Sequence, residues 1–208
     1  MTRQPRRSKP VAADLRLDPL LAYLVFAAVG VGAFRVRQDT RLLLLWLVLL
    51  AASLLYLEQR SIDVAYSLAR VGQGVAVGLL LSLPMLLLAF EALQATAARL
   101  FPLGGGAAIF QGVVWIAAPV EELFFRAILQ REHGFWVTTG LYGLAALVFF
   151  LPTVVGFPAV LLSVMAGMAV LGLVYGYVAL RYGWAAGAAC HVTVNLVLFV
   201  LPMLWPSG

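Results

Sequence analysis

Cysteine is almost absent from this 208-residue chain. Cys190 stands alone, which excludes an intramolecular disulfide and any multi-cysteine metal knot. Histidine is nearly as scarce. With only His133 and His191, the chain has no His-Glu-x-x-His helix to bind zinc. Charge is thin as well, at 11% of residues against about 25% in an average soluble domain. In its place 63% of the residues are hydrophobic, and the mean hydropathy is +1.00. The shortage of polar surface runs along the whole length. That excludes a soluble globular domain, a disordered chain and a nucleic-acid binder. The chain reads as an integral membrane protein.

The net charge of +5 and pI near 9.8 therefore carry a different meaning from the one they would have in a soluble chain. Arg3, Arg6, Arg7, Lys9 and Arg16 crowd the first sixteen positions, and most of the other basic residues fall between apolar runs. Those are the places where topology signals sit. With the N-terminus inside, ten basic residues fall in inner segments, Arg60, Arg70, Arg126, Arg131 and Arg181 among them. The outer segments hold four: Arg35, Arg37, Arg41 and Arg99. A cytoplasmic N-terminus is expected, although the three arginines at 35–41 crowd the far end of the first span. The N-terminal stretch does not read as a cleaved signal peptide, because its charged region is long and no clear small-residue cleavage site follows.

Apolar stretches run over approximately 19–34, 42–57, 71–90, 107–130, 135–155, 158–180 and 184–205. A helical span needs about 20 residues, so seven spans are expected, within a range of six to eight. The runs lack the period-two alternation of barrel strands, and lipid leaves only helices otherwise. The fold class is therefore an all-α polytopic transmembrane bundle. Three parts are expected: a basic cytoplasmic tail at 1–18, N-terminal transmembrane helices at 19–106, and a catalytic core at 107–205. Gly72, Gly74 and Gly78, then Gly167, Gly172 and Gly176, have the small-residue spacing of close helix contacts. Trp46, Trp136, Trp184 and Trp205 fall near span ends and read as interface anchors. Trp115 lies in mid-span and is expected to face the bundle interior. Glu58, Asp63, Glu91 and Arg99 fall in predicted loops, and His133 in a short polar connection.

An ionisable group at the bilayer centre costs roughly 3 kcal/mol unless it faces protein or water. The segment Pro119-Val120-Glu121-Glu122-Leu123-Phe124-Phe125-Arg126 breaks that rule with two carboxylates and an arginine in an otherwise apolar run. Glu122 and Arg126 are four apart with the carboxylate first, the favourable order for a helical ion pair. Glu121 points about 100° away and is left for other work. The competing reading, that both glutamates mark a helix end, is weakened by the apolar residues beyond them. A second polar pair, His191 and Asn195, shares one face of the last span. Interhelical hydrogen bonding alone would explain it, but both side chains can also serve a reaction. In the inside-N topology Glu121 and His191 lie about 15 and 11 Å from the same membrane face, at about 1.5 Å per residue, so one cavity can take both. Cys190 and His191 are adjacent and point apart, so they do not form a thiol–imidazole pair.

Glu121-Glu122-x-x-x-Arg126, followed about seventy residues later by His191-x-x-x-Asn195, resembles the CAAX-prenyl-protease and bacteriocin-processing (CPBP, or Abi) family of intramembrane glutamic endopeptidases. Gly172-Leu173-Val174-Tyr175-Gly176-Tyr177, Arg181 and Trp184-Ala185-Ala186-Gly187 are similar to that family's final motif region, and the likeness spans roughly 107–200. The resemblance implies that Glu121 activates a water, that His191 and Asn195 bind the oxyanion, and that Glu122 and Arg126 support the site as an ion pair. A metal site on Glu121, Glu122 and His191 is the other chemistry these residues allow, but no His-Glu-x-x-His helix or second histidine cluster supports it, and no metal and no cofactor are expected. The family also places a histidine in a Phe-x-x-x-His motif on the next helix. Here the matching run begins at Phe149, and the histidine position holds Thr153. Either Glu121 works with Thr153 placing the water, or the catalytic centre is degraded.

The function implied is an endopeptidase that cleaves near the C-terminal tail of a membrane-tethered protein or peptide carrying a processing or sorting signal. A bacterial inner membrane is the expected location, with the bilayer and the substrate as partners and nucleic acid excluded. The alternative is a CPBP-fold scaffold or binding protein that has lost hydrolysis, and Thr153 is the residue in its favour. A proton-coupled transporter would show repeat symmetry or paired broken helices, and neither is visible.

Overall fold

A computed structural model describes residues 18–60 and 67–205. Among them run eight helices and no strand: α1 (Pro19–Gly32), α2 (Gln38–Gln59), α3 (Leu68–Leu88), α4 (Phe90–Leu100), α5 (Gly106–His133), α6 (Phe135–Val154), α7 (Pro158–Tyr182) and α8 (Trp184–Leu204). Six of them, α2, α3 and α5 to α8, are long and apolar enough to cross a bilayer. The chain is an integral membrane protein with an all-α polytopic fold. The first of the seven expected spans falls short. α1 has 14 residues, about 21 Å at 1.5 Å per residue, against a hydrocarbon core of about 30 Å. Asp63 and the five basic residues of the N-terminal segment lie outside the described residues.

Local chemistry sets the helix ends. Asp18 caps α1 by accepting from the Leu20 amide at 2.8 Å, and Pro19 occupies the first helical position, where no amide is needed. Gly134 alone joins α5 to α6 and Gly183 alone joins α7 to α8. Both hold φ values, +81° and +96°, that a side chain would disfavour, so each glycine reverses the chain in one residue.

Close packing is concentrated where side chains are smallest. α3 lies along α8, and a Cβ on Gly74 would come within 2.1 Å of the Ala186 carbonyl oxygen. One on Gly78 would meet Thr193 and the Cys190 carbonyl at 2.8–2.9 Å. Without a hydrophobic drive between helices in lipid, this approach of backbones supplies the dispersion contact that holds them. Gly172 and Gly176 are likewise closed in, by Tyr142 and by Gln130 and Phe135. Gly72 and Gly167 face nothing within 4 Å, so the small-residue rows are only partly contacts. Trp115, expected inside, is 68% exposed, with its ring edge-on to Phe110.

Between α3 and α5, where a loop is expected around Glu91 and Arg99, the chain instead forms α4. Leu93, Ala97 and Leu100 make its buried stripe at helical spacing. Gln94 Nε2 donates to the Pro202 and Trp205 carbonyls at 2.9 and 3.0 Å, and the Arg99 guanidinium sits 4.7 Å over the Phe157 ring.

Pro152 interrupts the ladder inside α6, because it has no amide to give the Val148 carbonyl four residues back. Arg41 fills that gap. Its guanidinium donates to the Val148 and Phe149 carbonyls and, at 3.0 Å, to that of Gly30. Gln38 Nε2 adds a bond to the Phe149 carbonyl at 2.9 Å. Arg41 is thus buried between α1, α2 and α6 and does not belong among the solvated charges of an outer connection.

Candidate active site

The centre of the bundle is α5, the most enclosed of the candidate spans. Its backbone widens into π-helical turns at Phe110–Ala117 and Glu122–Leu129, with Pro119 in the α-helical turn between them. Such π turns shift the register of side chains by a fraction of a turn and recur at functional sites. Here they carry the double glutamate to the middle of the fold. Glu121, Glu122 and Arg126 are all buried.

The two glutamates have different partners. Glu122 Oε1 lies 3.6 Å from Arg126 Nε, the ion pair expected from the four-residue spacing, and 3.0 Å from His191 Nδ1. Facing a carboxylate, Nδ1 is the donor of that bond, which fixes the plane of the ring. The ring is further held by Tyr175, stacked on it at 4.3 Å and 17°. The motif glycines make room for this cluster. A Cβ on Gly187 would sit 3.1 Å from Glu122 Oε2, and one on Gly172 would sit 3.5 Å from the Arg126 guanidinium.

Glu121 has no arginine within ion-pair distance among the described residues. Neutral donors hold it instead. Trp46 Nε1 donates to Oε1 at 3.1 Å, and Tyr142 Oη donates to Oε2 at 3.0 Å. His191 Nε2 lies 4.0 Å from Oε2. Glu121, Tyr142, His191 and Asn195 border a cavity of about 470 Å³ whose remaining walls are mostly apolar, from Leu100 and Phe101 to Leu171 and Phe199. Asn195 gives one amide hydrogen to the Val113 carbonyl at 2.9 Å and keeps a second. A desolvated carboxylate, an oriented imidazole and a carboxamide thus meet at one apolar cleft, the equipment for adding water to a carbonyl and holding the charge that develops.

Residues 103–197 match the family described as Rce1-like, type II CAAX prenyl endopeptidase Rce1-like. This region is similar to the Rce1-like family. The searches of curated proteins and of solved structures found no match. The Rce1-like region takes in α5, α6, α7 and most of α8, and so contains both glutamates, Arg126, His191 and Asn195. The family it resembles is described as one of endopeptidases.

Two parts of the site differ from the sequence expectation. Thr153 does not border the cavity, since its hydroxyl bonds back to the Phe150 carbonyl at 2.8 Å within its own helix. Trp46, read as an interface anchor, is 1% exposed and bound to Glu121. The sequence held a signal for it. Leu42, Leu45, Trp46, Leu49, Ser53 and Tyr56 recur at helical spacing and form the buried stripe of α2. Tyr142 was also missed. It lies seven residues before Phe149 on the same buried face of α6, two turns back from the motif, while Thr153 lies one turn ahead.

Proposed function

We propose that this protein is an intramembrane glutamic endopeptidase, with Glu121 as general base. The observation that carries the reading is the contrast between adjacent carboxylates. Glu122 is engaged by Arg126 and His191, whereas Glu121 meets only neutral donors and borders the cavity. A buried carboxylate left without its own cation costs stability, and a proton-transfer role accounts for its presence.

In the proposed reaction a water oxygen adds to the scissile carbonyl carbon while Glu121 takes one of the water's protons. The carbonyl π pair moves onto oxygen, where the free Asn195 amide hydrogen faces it; a second hydrogen bond from His191 Nε2 requires the imidazolium, since the Nδ1 hydrogen is given to Glu122. Collapse of the adduct re-forms the carbonyl and breaks the C–N bond, and Glu121 returns its proton to the leaving nitrogen. Glu122 and Arg126 act through His191 and Tyr142, which they orient. No metal is needed in this scheme, so 1,10-phenanthroline is expected to leave cleavage unchanged.

The substrate class proposed is the C-terminal tail of a membrane-tethered protein or peptide, in line with the CAAX endopeptidase description of the matching family. We place the protein in a bacterial inner membrane with the N-terminus inside. With the buried Arg41 and Arg126 set aside and α1 not crossing, basic residues divide eight on the N-terminal side to four on the other. The test is quantitative C-terminal peptide profiling of membrane proteins in a deletion strain complemented with wild type or Glu121→Gln. Tails that accumulate without the protein and are cleared only by wild type support the protease. A scaffold that has lost hydrolysis is the second reading, favoured by the Thr153 hydroxyl lying outside the cavity. Rescue by Glu121→Gln at wild-type level would establish it and remove the protease.

A further inference from the structure

The two oxygens of Glu121 have unlike surroundings. Oε1 accepts from Trp46, which is itself 1% exposed and packed against Phe149. Oε2 accepts from Tyr142 Oη at 3.0 Å and faces His191 Nε2 at 4.0 Å. That 4.0 Å gap is too long for a direct hydrogen bond. One water bonded to both atoms at the ordinary distance of about 2.8 Å spans it. Oε2 is therefore the oxygen from which a water can be held between the carboxylate and the imidazole.

Tyr142 is the side chain that aims this oxygen, and it is fixed from several sides. The Arg126 guanidinium lies 4.7 Å over its ring, and the Phe125 ring packs edge-on at 5.0 Å. Gly172 leaves the space that the ring needs, since a Cβ there would come 2.9 Å from Cδ1. A phenol does not take up a proton at neutral pH, but its O–H gives a carboxylate a charge-assisted bond and so a set direction. The cation over the ring draws electron density from it and strengthens the O–H as a donor.

We infer that Tyr142 is a positioning residue that holds Glu121 Oε2 as the working oxygen of the base, while Trp46 serves only to anchor Oε1. The inference rests on Glu121 being the base. It also accounts for α6, the helix on which a histidine was expected. The side chain set against the carboxylate there is Tyr142, and Thr153 does not reach the site.

The test uses the full chain in nanodiscs and in the complemented deletion strain. The infrared difference between wild type and Glu121→Gln isolates the Glu121 carboxylate band. In Tyr142→Phe that band is expected to shift, and tail clearance per molecule of protein to slow about 100-fold, the usual effect of misplacing a reacting group by about 1 Å. Trp46→Phe is expected to move the band and slow clearance less than tenfold, because the oxygen it frees is not the one facing His191. Gly172→Ala keeps the hydroxyl but pushes the ring, and is expected to shift the band and slow clearance in the same direction. It guards against a Tyr142→Phe protein that folds poorly. An unmoved band, or clearance by Tyr142→Phe within twofold of wild type while Glu121→Gln clears nothing, overturns the inference and leaves the base assignment standing. Clearance by Glu121→Gln at wild-type rate removes both.

Discussion

Replacing either glutamate by glutamine removes one negative charge, yet the two changes are expected to differ sharply in stability. The Glu122 and Arg126 side chains are both fully buried and 3.6 Å apart. Glu122→Gln leaves the guanidinium with the Tyr142 ring face at 4.7 Å as its remaining described electrostatic partner. Breaking a buried pair from one side costs about 3–5 kcal/mol. At about 2–4 °C per kcal/mol for a chain of this size, the melting temperature should fall by roughly 6–20 °C. Glu121→Gln strands no cation, and a glutamine can still accept from one of the two donors while the Tyr142 hydroxyl rotates. Its cost is about that of one neutral hydrogen bond, near 1 kcal/mol. Melting of the purified proteins in one detergent at one scan rate reads the difference directly, and membrane abundance in cells should follow it. The double change Glu122→Gln with Arg126→Met removes both charges and is expected to regain much of the loss. Equal melting for the two single variants, or a double variant no better than Glu122→Gln, would refute the division of roles.

Other consequences follow from packing and backbone bonding. Gly74→Val should lower the stability of the bundle by about 1–3 kcal/mol, since its Cβ meets the Ala186 carbonyl at 2.1 Å, whereas Gly72→Ala, in open space, should melt like wild type. Arg41→Met should destabilise by about 1–3 kcal/mol for each carbonyl left without a donor. Adding Pro152→Ala should recover part of that loss, because alanine restores the amide that Val148 lacks, and a double-mutant cycle of melting temperatures measures the recovery. Thr153→Val should clear tails within twofold of wild type, because the hydroxyl is already bonded inside α6. A tenfold drop in clearance at equal protein level would contradict that placement.

Helix number and position were readable to within a few residues, because lipid permits so few structures that apolar length alone decides them. The exceptions have physical causes. α1 fell short because its apolar run at 19–34 is itself shorter than the roughly 17 residues a span needs, and the helix ends earlier still, at Gly32. α4 was hidden because an amphipathic helix lacks the continuous apolar run used to find spans. In the site, Glu122 with Arg126 was legible because a four-residue spacing brings the pair together whatever the tertiary fold. The bonds of Trp46 and Tyr142 to Glu121 were not, because each reaches it from another helix. Their sequence separations of 75 and 21 residues carry no local signature. Arg41 misled for a related reason, since an arginine beside a helix start reads as a topology charge until Pro152 on a distant helix is known to need it.

The bond between Arg41 and the Val148 carbonyl spans 107 residues, and that separation bears on how the protein is made. At about 5–20 residues per second the ribosome delivers α6 roughly 5–20 s after Arg41 has emerged. During that interval α2 carries a cation into the bilayer with only the Gly30 carbonyl, of its three final backbone acceptors, yet made. The low-cost waiting position is shallow, with the guanidinium stretched toward the headgroups, so α2 takes its final depth only when α6 arrives. Nascent chains stalled before α6 would then expose a loosely seated α2 to membrane quality control, and the arrival of the unpaired Val148 carbonyl with α6 becomes the event that seats α2.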